Sequence, residues 1–233
     1  MALPKLATAK YELTLPSTGN KVEYRPFLVK EEKILLTAQA TGEESDMLRA
    51  VEQIIENCTF GTLKTGDLPF FDIEYVFIKL RSKSIGEVAT VKILCPDDKE
   101  TRVEVDINLE EVECVRDVSH NAEIKLTDDV GLTMEYPRID SLAKMSKVSD
   151  SEAGFAIVKD CISQIHDAEN VYAKSDMDGK ELDEFIDSLS HSQFEKIQEF
   201  FDTMPKVKHA VKVKNPNTGV ESEVIVEGMQ NFF

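Results

Sequence analysis

Val91-Lys92-Ile93-Leu94-Cys95-Pro96-Asp97-Asp98 in mid-chain and Val211-Lys212-Val213-Lys214-Asn215-Pro216-Asn217-Thr218-Gly219 further on follow one pattern. Each is a run of alternating apolar and polar residues, then a polar residue with proline behind it, then turn formers. A second alternating run follows each, so both read as β-hairpins. Turns of this shape often hold zinc between paired cysteines. The first keeps one cysteine, Cys95, and the second keeps none. A hairpin repeated without its metal ligands points to a scaffold rather than a catalyst.

Toward the N-terminus, Tyr11, Leu13 and Leu15 alternate with polar residues up to Pro16-Ser17-Thr18-Gly19-Asn20, and Val22 and Tyr24 alternate back. This predicts another hairpin, ended by Pro26, which cannot donate to a ladder. Residues 1–9 read as a loose arm. Lys30 to Ala40 predicts a short helix with Ile34, Leu35 and Ala38 on its apolar side. Thr41 and Glu44 have capping-box spacing ahead of a second helix. There Met47, Leu48, Val51, Ile54, Ile55 and Cys58 recur at three and four, and Gly61 closes it. From about Leu68 to Lys83 the apolar residues cover most of a helical circumference, which predicts a central helix. A strand over Ile73 to Leu80 is the alternative, since Ile, Tyr, Val and Phe favour sheets.

Beyond the hairpin Val88 to Ile107, residues 109–137 suggest short strands or extended loop. Pro137 and Asp140 introduce a short helix with Leu142 and Met145. Ser149 and Glu152 have capping-box spacing, and a helix is predicted from Glu152 to His166, with Phe155, Val158, Cys161, Ile162 and Ile165 on one face. A short strand fits Val171-Tyr172. Asp178 with Glu181, and Ser190 with Gln193, cap two more helices. The second bears Phe194, Ile197, Phe200, Phe201 and Met204 and stops at Pro205. A hairpin from His209 to about Val226 and an apolar tail, 228–233, follow. The expected fold is α+β: an N-terminal β-hairpin, then two degenerate helix–helix–β-hairpin halves, 1–108 and 149–233, joined by a connector, 109–148. The alternative is that helix–helix–hairpin is simply a common order of elements.

The chain has 233 residues, 42% of them hydrophobic, enough for a sizeable core in one or two domains. Acidic residues outnumber basic ones 44 to 27, giving a formal charge of −17. The basic groups Lys79-Arg81-Lys83 and Lys206-Lys208-Lys212-Lys214 are small and interleaved with apolar residues, so nucleic acid is not an expected partner. No run approaches the ~20 apolar residues of a membrane span, and Met1-Ala2-Leu3-Pro4-Lys5 does not open a signal peptide. A reducing compartment is expected, with Cys58, Cys95, Cys114 and Cys161 as thiols.

No catalytic, cofactor-binding or metal-ligating residue is assigned. Cys95 and Cys114 lack C-x-x-C spacing, and His209 could join them only if the hairpins packed together. Asp176-Met177-Asp178-Gly179 resembles a calcium loop only superficially: it puts Lys174 where the first carboxylate belongs, and Asp178 serves better as a helix cap. His120, His166, His191 and His209 sit in unrelated contexts, and no nucleophile elbow, P-loop or G-x-G-x-x-G occurs.

Several segments carry a resemblance. Tyr11-Glu12-Leu13-Thr14-Leu15-Pro16-Ser17-Thr18-Gly19, Tyr24-Arg25-Pro26-Phe27-Leu28-Val29-Lys30-Glu31-Glu32-Lys33, Arg81-Ser82-Lys83-Ser84-Ile85-Gly86-Glu87, Phe200-Phe201-Asp202-Thr203-Met204-Pro205 and Glu227-Gly228-Met229-Gln230-Asn231-Phe232-Phe233 resemble, in order, the baseplate hub subunit and hub-assembly proteins of T-even-type contractile-tailed phages. Some members carry Cys-Pro-x-x-Cys in these hairpins; this chain departs there, with Cys95 alone and Asn215. The resemblance implies a non-enzymatic structural or assembly role in the baseplate central hub. The implied partners are hub, tape-measure or other tail proteins, with self-association left open. It places the chain in the host cytoplasm during assembly and in the virion if it is retained. Alternatives are a transient tail or hub assembly chaperone and a hub-associated cell-wall hydrolase. Tyr24 to Phe27 and the tail at Phe232-Phe233 are candidate contacts; for the tail, folding back onto the core is the favoured expectation.

Overall fold

The computed structural model describes residues 6–145 and 150–232. The elements are β1 (Tyr11–Thr14), β2 (Lys21–Tyr24), α1 (Val29–Thr41), α2 (Glu44–Cys58), α3 (Phe70–Ser84), β3 (Val88–Leu94), β4 (Arg102–Asn108), β5 (Glu113–Val115), β6 (Glu123–Lys125), β7 (Gly131–Met134), α4 (Ile139–Met145), α5 (Asp150–Cys161), β8 (Ile162–His166), β9 (Val171–Ala173), α6 (Gly179–Asp187), α7 (His191–Thr203), β10 (Lys206–Lys214) and β11 (Glu221–Glu227). The fold is α+β and begins with the antiparallel hairpin β1–β2. Contacts gather it into two compact units: residues up to Val115 with those from Lys206 onward, and Arg116–Pro205. These units cut the chain elsewhere than the segments 1–108, 109–148 and 149–233. The hairpin β10–β11 belongs with the N-terminal elements, and residues 109–148 supply β5 to one unit and β6, β7 and α4 to the other.

In the first unit α3 is the centre. Ile73, Val76, Ile78 and Leu80 have no solvent exposure, and Phe71 and Phe77 almost none. A run apolar on every side can bury its whole circumference as a helix while satisfying its own backbone, so the strand alternative loses. Polar residues of α3 reach inward too, Asp72 and Lys79 buried and Ser84 half-buried, and each fastens a different segment. Asp72 accepts from the Ser17 amide at 3.0 Å and from the Ser17 hydroxyl. Lys79 donates to the carbonyls of Leu109 (3.1 Å) and Glu110 (2.7 Å). The Ser84 hydroxyl accepts from the Phe27 amide at 2.8 Å. Alternate residues of β3 (Ala89, Val91, Ile93) and of β10 (Val207, Val211, Val213) meet Ile78, Ile107 and Phe232 in one core.

Three turns in this unit close alike. The N–H of Gly19 donates to the carbonyl of Leu15 (2.8 Å), Lys99 to Cys95 (3.0 Å) and Gly219 to Asn215 (2.8 Å). Each has proline second, and its fifth residue is left-handed, at φ 73°, 56° and 77°. The sequence pattern linked two of these; the N-terminal turn is a third.

Two helix boundaries differ from expectation. Thr41 does not cap α2: it ends α1, with its hydroxyl on the Ala38 carbonyl and Gly42 at φ 70° behind it, and Glu43 is the N-cap of α2. The helix expected from Glu152 to His166 stops at Cys161. The next five residues form β8, an interior strand of the sheet β6-β7-β8-β9, with Leu132 opposite Ile165 on one side and Ala173 opposite Gln164 on the other. Ile162 and Ile165 fit a helical stripe locally, and pairing on both edges overrides it. The capping pair expected at Ser149 lies outside the described residues. Asp178 and Ser190 do cap α6 and α7, with Glu181 and Gln193 reaching back. The second unit's core joins Leu132, Met134, Val158, Ile162, Leu182, Ile186, Ile197 and Phe200.

Candidate interaction surface

The residues that could have carried chemistry are held in structural roles. His120 is buried, its Nδ1 3.0 Å from the Thr203 hydroxyl and its Nε2 3.1 Å from that of Tyr136. Burial, then the nearby Arg116, lowers its pKa, so the neutral ring is favoured. His191 faces Glu195 at 3.3 Å at the exposed start of α7, and His209 lies on β10 opposite Val226. Burial pushes the thiols of Cys58, Cys114 and Cys161 up to about 12, which leaves them unreactive. Among the described residues no group of three or more His, Cys, Asp or Glu is arranged to hold a metal. Members of both basic groups are paired with carboxylates: Lys83 with Glu87 (2.7 Å), Lys206 with Glu227 (3.4 Å) and Lys214 with Glu221 (3.2 Å).

The Cys95 and Asn215 turns do pack together, fastened by hydrogen bonds. Asn215 is 1% exposed. Its amide nitrogen lies 3.0 and 3.1 Å from the two carboxylate oxygens of Asp97 and 2.8 Å from Oδ2 of Asp98. The Thr218 hydroxyl donates to Asp97 at 2.5 Å, and Asn217 donates to the Thr101 hydroxyl at 2.9 Å. The donors Thr218 and Asn215 hold Asp97 below the usual carboxylate range; Thr101, Asn215 and backbone amides do the same for Asp98.

Among the described residues, neither contact candidate from sequence is a free surface. Tyr24 is 3% exposed, and Arg25 is buried. The Arg25 guanidinium meets the fully buried Glu31 at 2.9 and 3.2 Å. Burial alone would raise Glu31, but the bonds from Arg25 and the Leu28 amide outweigh it and hold its pKa down. Phe27 packs on Phe77 with ring centroids 5.7 Å apart. The tail folds back: Phe232 has no exposure, and the Met229 amide donates to Glu74 at 2.9 Å. Phe233 lies outside the described residues.

An aromatic surface that does face solvent lies in the second unit, between α5 and α7. Phe155 is 53% exposed, with its ring centroid 5.2 Å from that of Phe194. With Ile157, Phe201 and Asp202 these line a groove of about 560 Å³. Helix α7 has two apolar stripes. Ile197 and Phe200 enter the core, while Phe194 and Phe201, seven residues apart, form a shelf beside it. The surplus of apolar positions on this helix was the sequence signal for the groove.

The model of the T4 bacteriophage base plate protein family matches residues 8–233. The chain belongs to this family. As a phage baseplate protein it is of a structural type, a component of the virion tail that works against other baseplate proteins. The match runs through both packed units. No curated protein and no solved structure gives a significant match. None of this baseplate protein's described helices is long and apolar enough to cross a membrane.

Proposed function

We propose that the chain is a non-enzymatic structural or assembly component of the baseplate central hub, acting through protein–protein contacts during tail assembly. The carrying observation is the base plate family match over residues 8–233. The hub resemblance of the segments from Tyr11 to Lys33 supports the finer placement. In this reading no residue is catalytic and none holds a cofactor or metal. Support comes from the perturbed groups, which serve the fold: Glu31 binds Arg25, Glu74 holds the tail, and Asp97 and Asp98 join two turns. Its partners are other hub, tape-measure or tail proteins, met in the host cytoplasm.

Quantitative mass spectrometry of infected-cell fractions tests this, comparing assembling hubs with finished tails. Fixed stoichiometry in both marks a structural subunit. Presence in the assembling fraction alone marks a transient assembly chaperone. Absence from both overturns the hub reading.

A further inference from the structure

The α5–α7 groove presents aromatic rings to water in a strongly acidic setting. Residues 116–205 carry 20 acidic against 9 basic side chains, a net −11 of the chain's −17. The cations of the two helices are already committed. Lys159 donates to the Gly179 carbonyl at 2.9 Å and pairs with Asp183 at 2.5 Å, and Lys196 donates to the carbonyls of Lys125 (2.8 Å) and Leu126 (3.3 Å). Asp202 lines the groove, and Glu195 and Glu199 are exposed on the same helix. A second copy of so acidic a unit would set like charges against each other. A basic partner is attracted, and its apolar face has Phe155, Phe194 and Phe201 to cover.

We propose that this groove docks a basic amphipathic helix of another baseplate protein. Large apolar side chains at i, i+3 or i+4 and i+7 enter between Phe155, Phe194 and Phe201, and Lys or Arg on the flanks meets the acidic rim around Asp202. This rests on the reading of the chain as a baseplate assembly protein and adds the surface and the chemistry of the partner.

The chain has no tryptophan, so a single Trp in a probe peptide reports binding alone. The probe is a synthetic helical peptide with Leu at i, i+3, i+4 and i+7, one Trp on that face and Lys on the flanks; the control carries Glu for Lys. The full chain is expected to bind the Lys peptide at least tenfold more tightly than the Glu peptide, and half a molar salt should erase most of the difference. Phe155→Ser and Asp202→Lys should each weaken the Lys peptide severalfold. Phe155 is half exposed, and unchanged circular-dichroism melts check that the variants fold. Equal binding of both peptides, or binding unaffected by either substitution, overturns the proposal. So does a dimer in sedimentation that Phe155→Ser dissolves, since a second copy then covers the groove. The same variants followed by mass spectrometry into hubs separate the two readings: a wild-type chain found in hubs, with peptide binding absent, leaves the hub role standing and removes the groove.

Discussion

Asn215 and Asp97, far apart in sequence, meet where two hairpin turns touch, with the amide nitrogen of one 3.0 Å from the carboxylate of the other. One buried amide thereby joins turns whose shape elsewhere suits a metal ion. Asn215→Ala removes the shared donor from a buried position, while Asp97 and Asp98 stay open to water, so the midpoint of denaturant unfolding should fall without the turns coming apart. Asn215→Asp should cost more at pH 7, because a third carboxylate then faces Asp97 and Asp98. The folded pKa values of Asp97 and Asp98 are depressed, so the stability they lend is present above the unfolded carboxylate range and lost as pH falls through the folded values. The alanine variant should therefore lose less than wild type on acidification below about pH 4. An acid limb parallel to that of wild type would show that Asn215 does not set those values.

Glu74 responds in the opposite direction. Burial, with Glu227 nearby, raises its carboxyl from 4.5 to about 7 despite the Met229 amide. A raised folded pKa means stability that is complete below pH 4.5 and lost as pH rises through 7. Glu74→Gln keeps an acceptor for Met229 without the charge. It should equal wild type near pH 4 and exceed it by about 3 kcal/mol at pH 8 in urea unfolding. A variant that is weaker than wild type at pH 8 would mean that the carboxylate itself holds the tail.

Lys99 occupies a left-handed position that glycine fills in the two sister turns. Lys99→Gly should raise stability by about 0.5–1 kcal/mol, and Gly219→Ala should lower it by about 1 kcal/mol. An added Cβ at Gly219 meets nothing within 4 Å, so the loss is conformational and not steric. Thermal melts of the two variants, moving in opposite directions, are the check.

Gly131 is a steric case. A Cβ there would sit 2.5 Å from Nε2 of His166 and 3.0 Å from the Ile124 carbonyl. Gly131→Ala should destabilise the four-stranded sheet by about 1–3 kcal/mol. Adding His166→Ala should recover part of the loss, and a double variant no better than the single one would place the clash on the Ile124 backbone.

Much of this fold was legible locally. The turns at Leu15, Cys95 and Asn215 announce themselves through proline followed by turn formers, with glycine at the left-handed position in the first and third, and Asp178 and Ser190 mark helix starts by their capping partners. What local pattern could not show was who pairs with whom. Ile162 to His166 is periodic as a helix and becomes a strand because β7 and β9 flank it. Tyr24 looks like a candidate contact until α3 and its neighbours close over it, whereas folding back of the tail was the favoured expectation and Phe232 does so. The groove was half legible: the Phe-rich helix has more apolar positions than one buried stripe needs, but that Phe155 would stand opposite required α5 and α7 to be placed.

The pairing of Val115 with Lys206 brings together the two ends of a ninety-residue excursion. A ribosome making this chain finishes residues 116–205 before it releases β10 and β11, so the excursion can fold while α3 still lacks its covering strands. The N-terminal elements must then wait, apolar and incomplete, until residues 206–232 emerge. A nascent chain halted short of Lys206 would expose that helix, and such products would aggregate or be degraded. The timing of translation thus makes the late hairpin a quality check on the early half.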